Sequence, residues 1–100
     1  MSSFSFWWEW GPYTLSPAAE DIGDVYDGLG SALTQNGYSN IVHAADMTAN
    51  KNNYVVGIVF IYTGGSNFIQ VVNCVTDLTA ADAATEGKKV QNLIKNLKFL

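Results

Sequence analysis

The sequence predicts a single α+β domain over residues 1–100, a two-layer sandwich with two helices on one face of a four-stranded, mainly antiparallel sheet. Three observations predict this class. Four stretches are rich in β-branched and aromatic residues, two stretches carry apolar residues at helical spacing, and turn signals separate them. The elements follow one another in the order β-α-β-β-β-α. The last three strands are expected to form a meander, with the first strand beside one of them.

The first predicted strand covers residues 3–10. Its aromatic residues alternate and share one face, which is typical of a half-buried strand. They are Phe4, Phe6, Trp8 and Trp10. Trp7 breaks the pattern because it falls on the otherwise polar face. Trp7, Trp8 and Trp10 could line a binding site together with Tyr13. We favour the alternative, in which Trp8 and Trp10 are core residues and Trp7 lies at a dimer interface or is partly exposed. Gly11-Pro12 is expected to end the strand.

Two helices are predicted, over residues 17–36 and 80–98. Ser16-Pro17 supplies an N-cap oxygen and a proline that suits the first helical position, and Asn36-Gly37 is typical of a helix end. The second helix starts with Thr79 in a sequence that resembles a capping box. Its acidic residues lie early and its lysines late, an order that complements the helix dipole.

The remaining strands are predicted over residues 40–48, 54–63 and 67–76, separated by a polar turn at 49–53 and a hairpin connection at 64–66. The strand at 54–63 is apolar on both faces and must be covered on both. Two helices of about 19 residues, each about 28 Å long, can form only one covering layer. One apolar face therefore stays open, unless the first strand, the loop at 11–16 and the chain end at 98–100 cover it.

An open apolar sheet face normally marks an interaction surface, and a second copy is its simplest partner. We therefore expect a homo-oligomer, most simply a dimer. The sequence leaves open which face the helices cover. The candidate surface residues from the central strand are Tyr54, Val56, Ile58, Phe60 and Tyr62.

Composition excludes several classes of partner. The net charge is −4, only 14% of the residues are charged and there is no arginine, which disfavours nucleic acid, anionic membranes and phosphate recognition. The longest apolar run, about ten residues, is too short to span a bilayer. Cys74 is the single cysteine and the first residues lack the pattern of a signal peptide, so we expect a cytoplasmic protein.

Candidates for chemistry are weak. His43 and Cys74 could form a catalytic pair, but no spacing supports one. Gly64-Gly65-Ser66 is better explained as a hairpin than as a phosphate-binding nest. Four acidic residues on the first helix could form an electrostatic patch for a basic protein, and they are too few to hold calcium. They are Glu20, Asp21, Asp24 and Asp27. No cofactor or metal is expected.

These features favour a small acidic interaction protein without catalytic activity, in an inhibitory, immunity or chaperone-like role. The alternative is a small-molecule binding protein or a small enzyme with an aromatic pocket between sheet and helices. A deep pocket holding His43, tyrosines or Asn73 would favour the alternative. A flat apolar sheet face buried between chains would favour the interaction protein.

Overall fold

The computed structural model describes residues 4–52 and 54–100 and confirms the α+β class. The elements are β1 (Phe4–Thr14), α1 (Ile22–Gln35), β2 (Ser39–His43), β3 (Met47–Lys51), β4 (Tyr54–Gly64), β5 (Asn67–Thr76) and α2 (Ala80–Asn92), followed by a 3-10 helix at Leu93–Asn96. The five strands form one antiparallel sheet in the order β1-β5-β4-β3-β2. Both helices lie on the same face of this sheet.

The sheet has five strands because the predicted strand at 40–48 is two strands. The chain turns at residues 44–46, where the Ala44 N–H donates to the Asp46 carbonyl over 3.0 Å. β3 then runs through residues predicted as a turn, with Asn50 opposite Val55 of β4. Pairing with the central strand outweighs the low strand propensity of this polar tract. Asn53, the last residue of the predicted turn, lies outside the described residues.

β1 is longer than predicted. Gly11-Pro12, whose peptide bond is cis, produces a register shift between Trp10 and Tyr13, and the strand continues to Thr14. β1 lies at an edge of the sheet, where a residue without an N–H is tolerated.

The start of α1 also differs from the prediction. Ser16 accepts a hydrogen bond from the Ala18 N–H at 3.2 Å, but this turn does not continue into a helix. α1 begins after Asp21, whose side chain accepts from the Gly23 N–H at 2.8 Å. The carboxylate of Asp21 therefore serves as the N-cap, with its charge at the positive end of the helix dipole.

The other helix ends follow the sequence signals more closely. Gly37 has a φ of 87°, and the Tyr38 N–H donates to the Leu33 carbonyl at 3.0 Å, so α1 ends in the predicted way. Thr79 caps α2 by accepting from the Asp82 N–H at 3.2 Å. α2 ends at Asn92 and tightens into the 3-10 helix, short of the predicted residue 98.

The hydrophobic core lies between the helices and the sheet. α1 covers the half formed by β2 and β3, and α2 covers the half formed by β1 and β5. The side chains of the buried core cluster are at most 8% exposed. They include Val25, Leu29 and Leu33 of α1, Val56, Ile58 and Phe60 of β4, Val72 and Cys74 of β5, and Val90 of α2. No helix in the described ranges combines the length and apolarity needed to cross a bilayer.

Two helix glycines define how closely the helices approach the sheet. A Cβ at Gly87 of α2 would lie 2.7 Å from the Trp8 ring, so α2 rests directly on the indole. A Cβ at Gly30 of α1 would meet the Met47 methyl group at 3.6 Å, an ordinary van der Waals distance. Gly87 is therefore required by packing, whereas Gly30 is not.

This difference predicts opposite effects of the same substitution. Gly30→Ala should stabilise the protein by up to about 1 kcal/mol, because alanine favours the helix and the site has room. Gly87→Ala should destabilise it by about 1–2 kcal/mol, because the clash with Trp8 exceeds the gain in helix propensity. Urea unfolding of the two variants measures both values. Equal effects would contradict the close contact between α2 and Trp8.

Candidate interaction surface and polar cluster

The face of the sheet that the helices leave uncovered is apolar along its two central strands. Three aliphatic pairs lie directly opposite each other there: Val55 with Val75, Val59 with Val71, and Ile61 with Ile69. Trp7 of β1 and Val42 of β2 lie on the same side, towards the sheet edges. We call these eight residues the open face. Cross-strand aliphatic pairs stabilise the sheet itself, by a few tenths of a kcal/mol each.

The open face leaves large apolar side chains in water. Val55, Ile61 and Val75 are 43%, 48% and 46% exposed, and Trp7 is 65% exposed. Val71 is buried to 5% exposure even though it is not part of the core cluster, because it is surrounded by neighbours on the open face itself. These residues are contiguous across the two central strands. No described strand or helix covers this patch, and exposed apolar patches of this kind normally mark interaction surfaces.

Polar residues interrupt and border the open face. Gly57 and Asn73 are opposite each other between the aliphatic pairs, and the Asp46 carboxylate lies above Gly57. Glu9 of β1 is opposite Val71. The open face is thus apolar on either side of Gly57 and Asn73, and it carries the Asp46 carboxylate over β4 and the Glu9 carboxylate on the edge strand β1.

The candidate surface predicted from β4 is mostly wrong, because the helices cover that face. Tyr54, Val56, Ile58 and Phe60 are 0–6% exposed and belong to the core. The helix-facing set carries the longer aromatic side chains, which reach into the helix layer. The pairing of β3 with β4 stops at Ile58. Beyond this point the helix layer takes over, and the Phe60 N–H of β4 donates to the Tyr26 hydroxyl of α1 at 2.8 Å.

Tyr62 shares the helix-facing side of β4 but remains 62% exposed, in edge-to-face contact with Phe68. Trp7 is exposed on the open face. Tyr13 is half-buried: its hydroxyl accepts from Gln91 Nε2 at 3.0 Å, and its ring is 5.6 Å from that of Phe99. Tyr13 therefore connects β1 to α2 and the chain end. Of the predicted aromatic candidates, Trp7 and Tyr62 remain accessible.

The four acidic candidates lie at the start of α1. Asp21 caps the helix, and Asp24 accepts from the Glu20 N–H at 2.6 Å. Glu20 and Asp27 point into solvent. Local capping explains two of the four carboxylates. Within residues 4–52 and 54–100, no group of three or more His, Cys, Asp or Glu side chains could hold a metal ion.

A polar cluster that the sequence analysis missed lies at one end of the core. The Tyr54 hydroxyl is 3.1 Å from that of Tyr38 and donates to Glu86 Oε2 at 2.9 Å. Lys89 donates to Glu86 Oε1 at 3.0 Å, and Lys51 Nζ lies 5.1 Å from the centre of the Tyr38 ring. The signal in the sequence was the position of Glu86, three residues after Ala83 and four before Val90, on the buried side of α2.

Burial and hydrogen bonding set the protonation of this cluster. Burial, then the hydrogen bonds with Tyr38 and Glu86, raises the pKa of Tyr54 well above its ordinary value. Burial also raises the pKa of Tyr38. Burial alone would raise the pKa of Glu86, but hydrogen bonds from Lys89 and Tyr54 outweigh it and lower that pKa. The cluster thus holds two neutral phenols and one ionised carboxylate.

The geometry gives this cluster a structural role. The cavity beside it measures about 40 Å³, which is room for a water molecule rather than a substrate. Burial, with a smaller effect of the Glu86 charge, raises the pKa of Cys74 to about 11, so the thiol is neutral and unactivated. The polar cluster joins α2, β4 and the segment after α1 by hydrogen bonds within the core.

The possible Cys-His pair is not formed. Cys74 is in β5 and His43 is in β2, with β4 and β3 between them, so three strand spacings of about 4.8 Å separate the two strands. His43 instead stacks on Tyr26, with ring centres 4.2 Å apart.

Larger cavities are present elsewhere, and two of them involve tyrosines. One, of about 350 Å³, lies between Tyr13, Gln91, Ile94 and Phe99, and the other, of about 340 Å³, is an open groove beside His43 and Tyr26. Asn73 belongs to neither, because it faces outward between Trp7 and Gly57. The groove therefore brings His43 and one tyrosine together, but it is open rather than a deep pocket.

Comparison with known proteins gives no family. No family model matches the chain, and no curated protein or solved structure is significantly similar to it. Its function is therefore inferred from its own geometry.

The polar cluster predicts a specific loss of stability. Tyr54→Phe should destabilise the protein by about 1–3 kcal/mol, because it leaves the Tyr38 hydroxyl and the Glu86 carboxylate without a shared partner. Tyr62→Phe removes the same atom from an exposed ring and should change the free energy of unfolding by less than about 0.5 kcal/mol. Urea unfolding at pH 7 measures both. Similar values for the two variants would show that the cluster contributes nothing to stability.

The raised pKa of Cys74 predicts a pH dependence. In the unfolded chain the thiol ionises near pH 9, and in the folded protein near pH 11. Its contribution is therefore fully present below pH 9 and falls by about 1.4 kcal/mol per pH unit as the pH rises towards 11. Cys74→Ala lacks this part of the pH dependence.

The measurement is urea unfolding under reducing conditions from neutral pH to pH 11. Tyrosine ionisation is largely common to both proteins, because Cys74 is only the smallest of the causes that raise the pKa of Tyr38. The difference between their free energies of unfolding therefore reports mainly on the thiol. This difference should change by about 2–3 kcal/mol between pH 9 and 11. Parallel curves would contradict the raised pKa.

Proposed function

We propose that this chain is a non-catalytic interaction protein that self-associates through the open face and binds a protein partner in the assembled state. The observation that carries the proposal is the uncovered aliphatic patch on the two central strands, with Val55, Ile61 and Val75 all more than 40% exposed. Water contact with these side chains costs about 25 cal/mol per Å² of apolar surface. Burial against another surface would recover that free energy.

A second copy fits this surface because an interface around a two-fold axis brings the same patch together from both copies, so one apolar patch is sufficient. Glu9 lies on the edge strand β1, but the Asp46 carboxylate lies over Gly57 of the central strand β4. An interface centred on the Val59–Val71 and Ile61–Ile69 pairs leaves this carboxylate at its border, so that association does not bury an unpaired charge at the centre.

The net charge of −4 favours a basic protein as the further partner. Exposed carboxylates such as Glu20 and Asp27 extend the acidic surface beyond the open face. An inhibitory, immunity or chaperone-like role in the cytoplasm agrees with this charge and with a cysteine kept as a free, buried thiol. We do not propose an enzyme, because the groove that holds His43 and Tyr26 is open rather than a deep pocket and Asn73 lies outside it.

The proposal predicts that one charge on the open face reduces the assembly. Ile61→Lys should lower the mass measured by light scattering at micromolar concentration, because association would bury an unpaired ammonium group. Ala84→Lys adds the same charge on the exposed side of α2 and should leave the mass unchanged. Circular dichroism checks that both variants are folded. A wild-type protein that is a clean 10.9 kDa monomer would end the proposal, as would equal masses for the two variants.

A further inference from the structure

The outer edge of β1 is the least protected part of the sheet. Residues 4–10 pair with β5 in an unbroken register, from Phe4 opposite Thr76 to Trp10 opposite Gln70. Within the described residues, no strand pairs with their other side. Further along, the chain end covers the edge: the Leu100 N–H donates to the Thr14 carbonyl, and the Ser16 N–H donates to the Lys98 carbonyl, both at 2.8 Å. Residues 4–10 are therefore a straight edge with free backbone groups.

The opposite edge of the sheet is built differently. β2 has five residues, its register with β3 breaks between Ser39 and Val42, and Asn40 has a φ of 52°. Short, irregular edges resist pairing with other chains. Residues 4–10 carry none of the usual protection: they contain no lysine and no proline, and Glu9 is their single charge.

Both faces of this edge also leave aromatic surface uncovered. On the helix side, Phe4 is 54% exposed and begins a row of rings that continues with Phe6, Trp8 and Trp10 at centre distances of 6.0–6.5 Å. On the open side, Trp7 is 65% exposed. α2 reaches the row at Trp8, through Gly87. A strand added beyond β1 would pack against both sets.

We propose that residues 4–10 of β1 pair antiparallel with the same residues of a second copy, around a two-fold axis at Trp7, midway between the two copies of this residue. Directly opposite residues of antiparallel strands share a face, so the axis must lie midway between the two copies of one residue. An axis at Trp7 uses the whole straight segment, whereas an axis at Phe6 or Trp8 pairs two residues fewer within it. An axis at Glu9 would place two carboxylates opposite each other, which is unfavourable.

The pairs formed around Trp7 are chemically complementary. Trp7 is opposite the partner's Trp7 on the open side, and Ser5 is opposite the partner's Glu9, so no like charges meet. On the helix side, Phe6 is opposite the partner's Trp8, and Phe4 is opposite the partner's Trp10. Aromatic cross-strand pairs are among the more stabilising ones. The identity of the occupant, a second copy, follows from this self-complementarity.

This interface goes beyond association through the open face, because it rests on the edge of the sheet. A two-fold axis perpendicular to the sheet keeps the helices of both copies on one side. The two open faces then form one continuous surface on the other side. Edge pairing and face contact are separate interfaces and can be tested separately.

Cysteine cross-linking tests the proposed register. Ser5→Cys and Glu9→Cys chains, mixed under mild oxidation, should form a disulfide-linked heterodimer, because directly opposite Cβ atoms are about 5 Å apart. Each variant alone should not, because identical residues would be four positions, about 13 Å, out of register. The buried Cys74 thiol is common to all samples and serves as the background. A mixture that cross-links no more than the single variants would overturn the proposal.

Charge variants measure the same pair without oxidation. Ser5→Glu should weaken the edge-paired dimer by about tenfold, because two Glu–Glu contacts form, and Ser5→Lys should tighten it. Glu9→Lys added to Ser5→Glu should restore the dimer. Equal dimerisation by Ser5→Glu and Ser5→Lys would overturn the register.

Performing both tests in the Ile61→Lys background separates the edge from the open face. Cross-linking that persists there, with a reduced assembly mass, supports both interfaces. Cross-linking that persists while Ile61→Lys and wild-type masses agree supports the edge and ends the role of the open face. If no cross-link forms in either the wild-type or the folded Ile61→Lys background, the edge proposal is overturned. If Ile61→Lys still lowers the mass in that case, the open-face proposal stands.

Discussion

The structure depends on an imbalance between one sheet with two apolar faces and helices that can cover only one of them. α1 lies over one half of the sheet and α2 over the other. Two helices side by side, each about 10 Å in diameter, span about the width of five strands in a single layer. The side chains of β4 that these helices reach are almost inaccessible. Their neighbours in sequence point the other way and stay in contact with water. The open face exists because alternate side chains of β4 point into the core and into water.

The sequence was sufficient to predict the class of fold and the strands β4 and β5. It also predicted the start of α2 at Thr79 and the end of α1 at Gly37. All of these depend on local periodicity and capping. The division of β2 from β3 was not predictable in the same way. It depends on a turn at 44–46 without glycine or proline, and on pairing between polar residues and the central strand. The start of α1 was misplaced because Ser16 and Asp21 both offer capping oxygens, and propensity alone does not rank them.

The choice of face was the decisive uncertainty for the candidate site. Both sets of β4 side chains are apolar, so hydrophobicity could not separate them. The larger rings of Tyr54 and Phe60 lie towards the helices, where Tyr38, Glu86 and Tyr26 satisfy polar groups that a flat surface would leave free. Trp7 was identified because it violated its own alternation, a local signal. The polar cluster was missed because its members come from distant parts of the chain.

The pairing of β1 with β5 has a consequence for synthesis of the chain. β1 is made before the other strands of this sheet, and its partner β5 ends at Thr76, so the chain as far as Thr76 must be made before β1 can complete its pairing in the sheet. Contacts between such distant segments also form late in folding, because closing a long loop costs entropy before the strands gain any contact. During this interval the aromatic segment at 4–10 has neither a sheet partner nor α2 above it. Its tendency to pair with other strands is therefore greatest in the nascent chain, before the protein has a fold.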